Sequence, residues 1–385
     1  MFPIDISLHQ YALLGASLLA TLITLAVVWV RSHRISRQAK SPAPEDAAIN
    51  ASIVVYSNDE WNSLEDLLPQ LLRQQTLGQF EVIVVNEGES AQVQEIVSRL
   101  RVEHPNLYLT YTPDGARNLS RKKLAITLGV KAARYDVVVL TTASARIDST
   151  QWLQRMANHF ANPQVEVVLG AAVADADDDR LWGARVRAFD HLDEQSAWLS
   201  AALGGNPWRG TEHNLAYRRE LFFRNKGFSR HLNLRYGDDD IFVSEIARKA
   251  NTVVELSPEA MVTARGICSP HFAGENWRLR RFTRRFIPRR PWLMSTLARW
   301  CYGLAPLAMV AAVLLNLQSR HCMIAAGVCL LLWWAASLVW LPAIKALRGR
   351  RLLLSLAPIM VVRPWRLLLR NVTALFHRAK HYTWE

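Results

Sequence analysis

The chain has 385 residues, half of them hydrophobic, with 46 lysines and arginines against 33 acids and a formal charge of +13. This balance excludes disordered, collagen-like and disulfide-rich secreted chains, and the length allows about two domains. The four cysteines make no disulfide framework: Cys301, Cys322 and Cys329 sit in apolar stretches, Cys268 stands alone, and no pair has zinc-ligand spacing.

Taken in chain order, a short segment, 1–10, precedes an uncharged run, 11–30, long enough to cross a hydrocarbon core about 30 Å thick. No Lys or Arg comes before it, as one would in a signal peptide, so the run is expected to be an uncleaved anchor. A basic and then Pro/Ala-rich linker, 31–50, follows.

A soluble domain is expected over 51–275, with a boundary near 150. Strands are predicted at 52–56, 81–85, 107–111 and 136–141 from short β-branched runs. Helices are predicted at 61–75, 93–102 and 122–134, the first from Leu64, Leu67, Leu68, Leu71 and Leu72 at helical spacing. This alternation predicts an α/β fold with a doubly wound, mostly parallel sheet and a ligand at the carboxyl ends of its strands. No glycine-rich dinucleotide or phosphate loop follows any of these strands, which argues against oxidoreductases and P-loop enzymes. A further strand, 165–169, a helix from about 181 and a helix over 241–250 complete the domain.

Residues 276–299 form a basic interface segment with eight arginines (278, 280, 281, 284, 285, 289, 290 and 299) and no acid. Two more uncharged spans, 300–317 and 322–344, are separated by four residues and predict a tight hairpin. Basic residues cluster after the first span, before the second and after the third, which predicts an external N-terminus and a cytosolic domain. In the tail, 345–385, expected on the cytosolic side, the apolar stretch 352–362 is too short to span and is interrupted by Pro358, so an interfacial or re-entrant segment is expected. Basic residues lining a membrane face account for the charge, and nucleic acid is not an expected partner. Membrane lipids are, and the anchors suit a bacterial cytoplasmic membrane.

The segments 52–60, 82–90, 122–144, 210–217, 227–228 and 237–242, with the arginines after Trp277, resemble family 2 glycosyltransferases of the GT-A fold in order and spacing over about residues 50–285. The resemblance implies that Ser57, Asn58, Asp59 and Glu60 face the nucleotide of a sugar donor. It implies that Asn86 and Glu87 accept hydrogen bonds from base or ribose, and that Lys123 lies near the phosphates. Where the family carries Asp-x-Asp for Mg²⁺ or Mn²⁺, this chain has Thr142-Ala143-Ser144, which brings no charge to offset an ion. Arg146 is a candidate to neutralise phosphate instead. A literal Asp-x-Asp at Asp175–Asp177, followed by Asp178 and Asp179, reads as a solvated loop and acidic helix start.

On the acceptor side, Gly237-Asp238-Asp239-Asp240 matches the family's catalytic acids, and the resemblance implies Asp239 as general base with Asp238 and Asp240 in support. A helix N-terminus would also place acids there. Arg278 to Phe282 stands where processive members carry Gln-x-x-Arg-Trp; Arg281 and Phe282 match in place, but Arg278 replaces the Gln. Trp208, His213 and Asn214 are candidate acceptor contacts. The expected activity is inverting transfer from a nucleotide-diphospho-sugar to a lipid-linked or cell-surface glycan. A non-catalytic relative binding nucleotide, glycan or an envelope-assembly protein is the alternative. A transport component is disfavoured because no charge lies within the spans.

Overall fold

A computed structural model describes residues 7–58, 60–88, 90–112, 119–175, 181–315, 319–349 and 352–376. Asp59 and the acids Asp177, Asp178 and Asp179 lie outside the described residues. The chain divides into two compact units: a domain over Arg37–Arg289, and a helical unit whose described residues come from the N-terminal helix and from 290 onward.

The domain opens with β1 (Ala51–Asn58), α2 (Trp61–Leu72), β2 (Phe80–Glu87), α3 (Ala91–Arg101), β3 (Leu107–Tyr111), α4 (Arg121–Ala132) and β4 (Val137–Thr142), the N-terminal helix being α1 (Leu8–Gln38). β1, β2 and β4 are apolar almost throughout because both sheet faces are covered, as parallel strands require. Alternation along β1 sends Ile53 and Val55 into the main core with Leu64, Leu67, Leu68 and Leu71 of α2. Val54 points the other way, toward Gly129 of α4; a Cβ added there would lie 2.4 Å from Val54 Cγ1, so only glycine lets α4 lie this close.

The chain continues through β5 (Ala145–Arg146), α5 (Trp152–Asn158), β6 (Val167–Leu169), β7 (Ala172–Ala174), α6 (Trp182–Leu203), β8 (Leu215–Arg218), α7 (Arg219–Arg224), α8 (Ile241–Ile246), β9 (Thr252–Val254), β10 (Val262–Ala264) and α9 (Pro270–Thr283). The main sheet has the order β3-β2-β1-β4-β8-β6-β9. β3, β2, β1 and β4 are parallel, and β8 runs antiparallel to both β4 and β6. A small second sheet has the order β5-β10-β7. This is the mixed, mostly parallel α/β sheet expected from the sequence.

The helix expected over 241–250 is α8, which ends at Ile246. Asn251 stops it: its side-chain amide donates to the Ile246 carbonyl at 3.1 Å, and its Oδ1 accepts from the Arg248 N–H at 2.7 Å. The side chain thus offers the backbone an alternative to another helical turn.

In the second unit, α1, α10 (Arg289–Leu315) and α11 (Arg320–Ala336) are followed by a 3₁₀ turn, α12 (Leu341–Ala346) and α13 (Leu356–Phe376). Among the described residues three stretches are long and apolar enough to cross a membrane: Leu8–Gln38, Thr296–Leu315 and Arg320–Ala346. α1 packs antiparallel on α10 through a polar ladder with seven-residue steps. Gln10 donates to the Ala312 carbonyl at 3.0 Å, Ser17 to Ala305 at 3.0 Å and Thr24 to Ala298 at 3.4 Å. Alanine at the three contact positions gives the small-residue approach that helices use where water supplies no driving force. In the tail, Pro358 falls in the first turn of α13, where a missing N–H is tolerated, so it starts a 21-residue helix instead of ending one.

Candidate active site

The parallel strands bring their carboxyl ends together in register, with Ser57 opposite Asn86, Asn58 opposite Glu87, Asn86 opposite Tyr111 and Tyr56 opposite Thr142. Ser57 Oγ, Asn86 Oδ1 and Thr112 Oγ1 are buried there with no hydrogen-bond partner among the described residues. A buried polar atom without a partner costs about 1–3 kcal/mol, so three on adjacent strands mark a place where a polar ligand completes the fold. Asn86 holds its own loop by donating to the Ser90 carbonyl at 3.2 Å. Glu87 accepts from the Tyr56 hydroxyl, and burial followed by the Glu87 contact raises the phenol pKa, keeping it a donor. Asn58 and Glu60 are exposed at the mouth.

Beside them a cavity is lined by Tyr56, Lys122, Thr141, Thr142, Glu212 and Asp238. Lys122 is its one ammonium: Nζ lies 2.6 Å from Asp238 Oδ2, pairs with Glu212, and stands 5.8 Å from the Tyr56 ring centroid. Lys123, the expected phosphate neighbour, points away. Its Nζ is fully buried and donates to the carbonyls of His231, Leu234 and Tyr236 at 2.7, 3.1 and 2.7 Å, clasping the loop that leads into the acids. Burial lowers its pKa to about 8, which still leaves it mostly charged at neutral pH.

The Thr142 hydroxyl lies 3.1 Å from Ser144 Oγ and 2.7 Å from His213 Nδ1. His213 is buried, and burial with the Lys122 charge lowers its pKa to about 3, so it is neutral and serves as the partner of Thr142. Arg146 is paired with two carboxylates, Asp148 and Asp175, each 3.1 Å away.

The three consecutive acids have three different surroundings. Gly237 precedes them at φ +112°, where a Cβ would strike the Ile241 side chain, so glycine alone turns the chain into the cleft. Burial pushes Asp238 up, but the charge and hydrogen bond of Lys122 outweigh it and hold the carboxyl below its ordinary range. Asp240 caps α8 by accepting from the Ile241 N–H at 2.7 Å; burial and the charge of Asp239 raise its pKa to about 7. Asp239 takes Arg209 Nη2 on Oδ2 at 3.2 Å, while Oδ1 has no partner among the described residues. Burial raises its pKa, Arg209 opposes that, and the Asp238 charge adds to it; the net direction is up.

Arg209 is held in turn. Its Nη1 lies 2.5 Å from Glu194 of α6, and Glu194 also pairs with Arg280 and accepts from Asn276 at 3.3 Å, both on α9. Arg280 joins this network, and Arg281 lies over Trp277, 5.6 Å from its centroid. Phe282 is buried against Tyr236 and Phe286 and presents no acceptor surface. Asn214 is also structural: it accepts from Trp152 Nε1 at 3.1 Å and donates to the carbonyls of Ala171 and Ala260 at 3.0 and 2.8 Å. Trp208 is buried with its indole N–H unpartnered among the described residues, so it remains a donor for a ligand oxygen.

Residues 52–228 match the family model of glycosyl transferase family 2. This segment is a family 2 glycosyltransferase domain. The mannosyltransferase PcManGT from Pyrobaculum calidifontis, solved in complex with GDP-Man and Mn²⁺, aligns over 92% of this chain and 99% of its own at 19% identity, with a TM-score of 0.55. That likeness is one of fold. S. aureus TarS 1–349, in complex with UDP-GlcNAc, aligns over 83% of this chain and 90% of its own at 15% identity and a TM-score of 0.41. No curated protein sequence matches the chain.

A divalent ion in such a glycosyltransferase domain would need hard, negatively charged oxygen ligands. The fourth-strand loop offers two hydroxyls bonded to one another and a neutral histidine turned to them. Glu212 and Asp238 are both taken by Lys122. Among the described residues no three His, Cys, Asp or Glu side chains gather as ligands. Among the described residues the donor set does not fit a divalent ion. Sequence reasoning missed Lys122, Glu194, Arg209, Glu212, Asn276 and Arg280. The one available signal was the acidic pair Asp193-Glu194, placed in the middle of a helix whose second half is buried nearly all round.

Proposed function

We propose that the chain is a membrane-anchored inverting glycosyltransferase, moving a sugar from a nucleotide-diphospho-sugar to a lipid-linked or cell-surface glycan acceptor. The observation that carries the reading is Asp239: a buried carboxylate with raised proton affinity, one oxygen fixed by Arg209 and the other unpartnered, in a family 2 acceptor motif. A base of this kind takes the acceptor hydroxyl proton on Oδ1 as the acceptor oxygen bonds to the anomeric carbon. The bond from that carbon to the donor phosphate breaks on the opposite face, and the nucleoside diphosphate leaves with the electron pair. Ser57, Asn86 and Thr112 supply hydrogen-bonding groups for base or ribose, with Asn58 and Glu60 at the mouth. Trp208 would donate to a sugar or acceptor oxygen.

The membrane-associated acceptor is supported by the three apolar helices and by chain order: α9, which carries Asn276 and Arg280, leads through five residues into α10. A bacterial cytoplasmic membrane with the domain in the cytosol is the compartment this favours. A second reading, a non-catalytic binder in an envelope assembly, draws support from the missing carboxylates at Thr142-Ala143-Ser144. The test is turnover of UDP- and GDP-linked sugars by the protein in lipid discs with membrane-lipid extract as acceptor. Transfer with inversion at the anomeric carbon is expected. Nucleotide binding without turnover would favour the non-catalytic reading, and a retained anomer would contradict the Asp239 mechanism.

A further inference from the structure

We infer that the donor site works without a divalent cation, and that the Lys122 ammonium supplies the positive charge at the donor's diphosphate. The inference rests on the glycosyltransferase reading above and deepens it. Lys122 occupies the position an ion would need: in the cavity at the end of β4, beside Thr142, between the carboxylates of Glu212 and Asp238. Those two acids are the carboxylates among the described residues lining the cavity, and a lysine already bridges them.

The charges also balance. Lys122 and the buried Lys123, whose charge acts on Asp238, bring two positive charges against the two negative charges of Glu212 and Asp238. An ammonium has three N–H donors, and two carboxylates use two of them. The third is left for a non-bridging phosphate oxygen, a charge-assisted bond of the stronger class. The Thr142 and Ser144 hydroxyls beside it offer neutral contacts to the same group. As the glycosidic bond breaks, charge grows on the leaving diphosphate, and a fixed ammonium is a stabiliser that requires no reorganisation.

The test uses the full-length protein in detergent, titrated calorimetrically with UDP and with GDP, each in chelator and in Mn²⁺. The nucleotide that binds is expected to do so with the same affinity, within about twofold, in both conditions. Lys122→Gln is expected to weaken it about tenfold or more, and Lys122→Arg to restore most of the affinity. Binding that appears only with Mn²⁺ would overturn the inference and leave the glycosyltransferase reading in place. Equal affinity in wild type and Lys122→Gln would overturn it as well. Failure of both nucleotides in every condition would overturn both. Should Lys122→Gln not fold, the chelator-against-Mn²⁺ comparison on the wild type decides alone.

Discussion

The sides of the cleft proposed to take donor and acceptor are built on opposite plans. On the donor side, neutral polar atoms at the ends of β1, β2 and β3 are left without partners, and the backbone register alone brings them together. On the acceptor side, Glu194, Arg209, Asp239, Asn276 and Arg280 satisfy one another through side chains drawn from separate elements. The first arrangement waits for a ligand to complete it. The second is tied together side chain to side chain, leaving Asp239 Oδ1 and Arg209 Nε without partners among the described residues.

Breaking the acceptor network should have the largest effect. Arg209→Met leaves the Asp239 carboxylate buried without its cation, so its pKa rises further. Turnover should fall about a hundredfold at neutral pH, within the range one general base contributes. The acidic limb of kcat/KM, already expected above the ~4 of an exposed aspartate, should move to still higher pH. Nucleotide affinity should be unchanged, which a titration of the same sample checks.

The donor side should respond in the reverse sense. Thr112→Val removes an unpartnered buried hydroxyl at nearly constant shape, so the melting temperature should hold or rise. Nucleotide affinity should drop about three- to tenfold, the value of one hydrogen bond. A variant that lost stability but kept affinity would show that the hydroxyl serves the fold.

A smaller effect concerns Asp240. Its folded pKa of about 7 lies above the ordinary aspartate value, so the folded state holds the proton more tightly than the unfolded one. The associated stability is present below about pH 4 and is lost as pH rises through 7. Asp240→Asn keeps a good helix cap and should flatten that slope, read as melting temperature between pH 5 and 7.5.

The contrast between the two sides also explains what the sequence made legible. Strands and helices followed from apolar runs and leucine spacing, while Ser57, Asn86, Thr142 and Asp239 were singled out by the family resemblance. Lys122 and Lys123 could not be separated this way, because adjacent helix residues point about 100° apart and only the packing decides which one enters the cleft. Arg209 pairs with residues 15 and 30 positions away, a distance over which no local pattern reports. Of the two readings of the acid triplet, the helix start is realised by Asp240, which caps α8, and the base is the role proposed for Asp239.

The central claim is that Asp239 alone carries the proton. The most direct test measures sugar transfer and nucleotide affinity together in Asp239→Asn. The account predicts transfer reduced about 10²- to 10⁴-fold with nucleotide affinity unchanged. Transfer at the wild-type rate in that variant would contradict it.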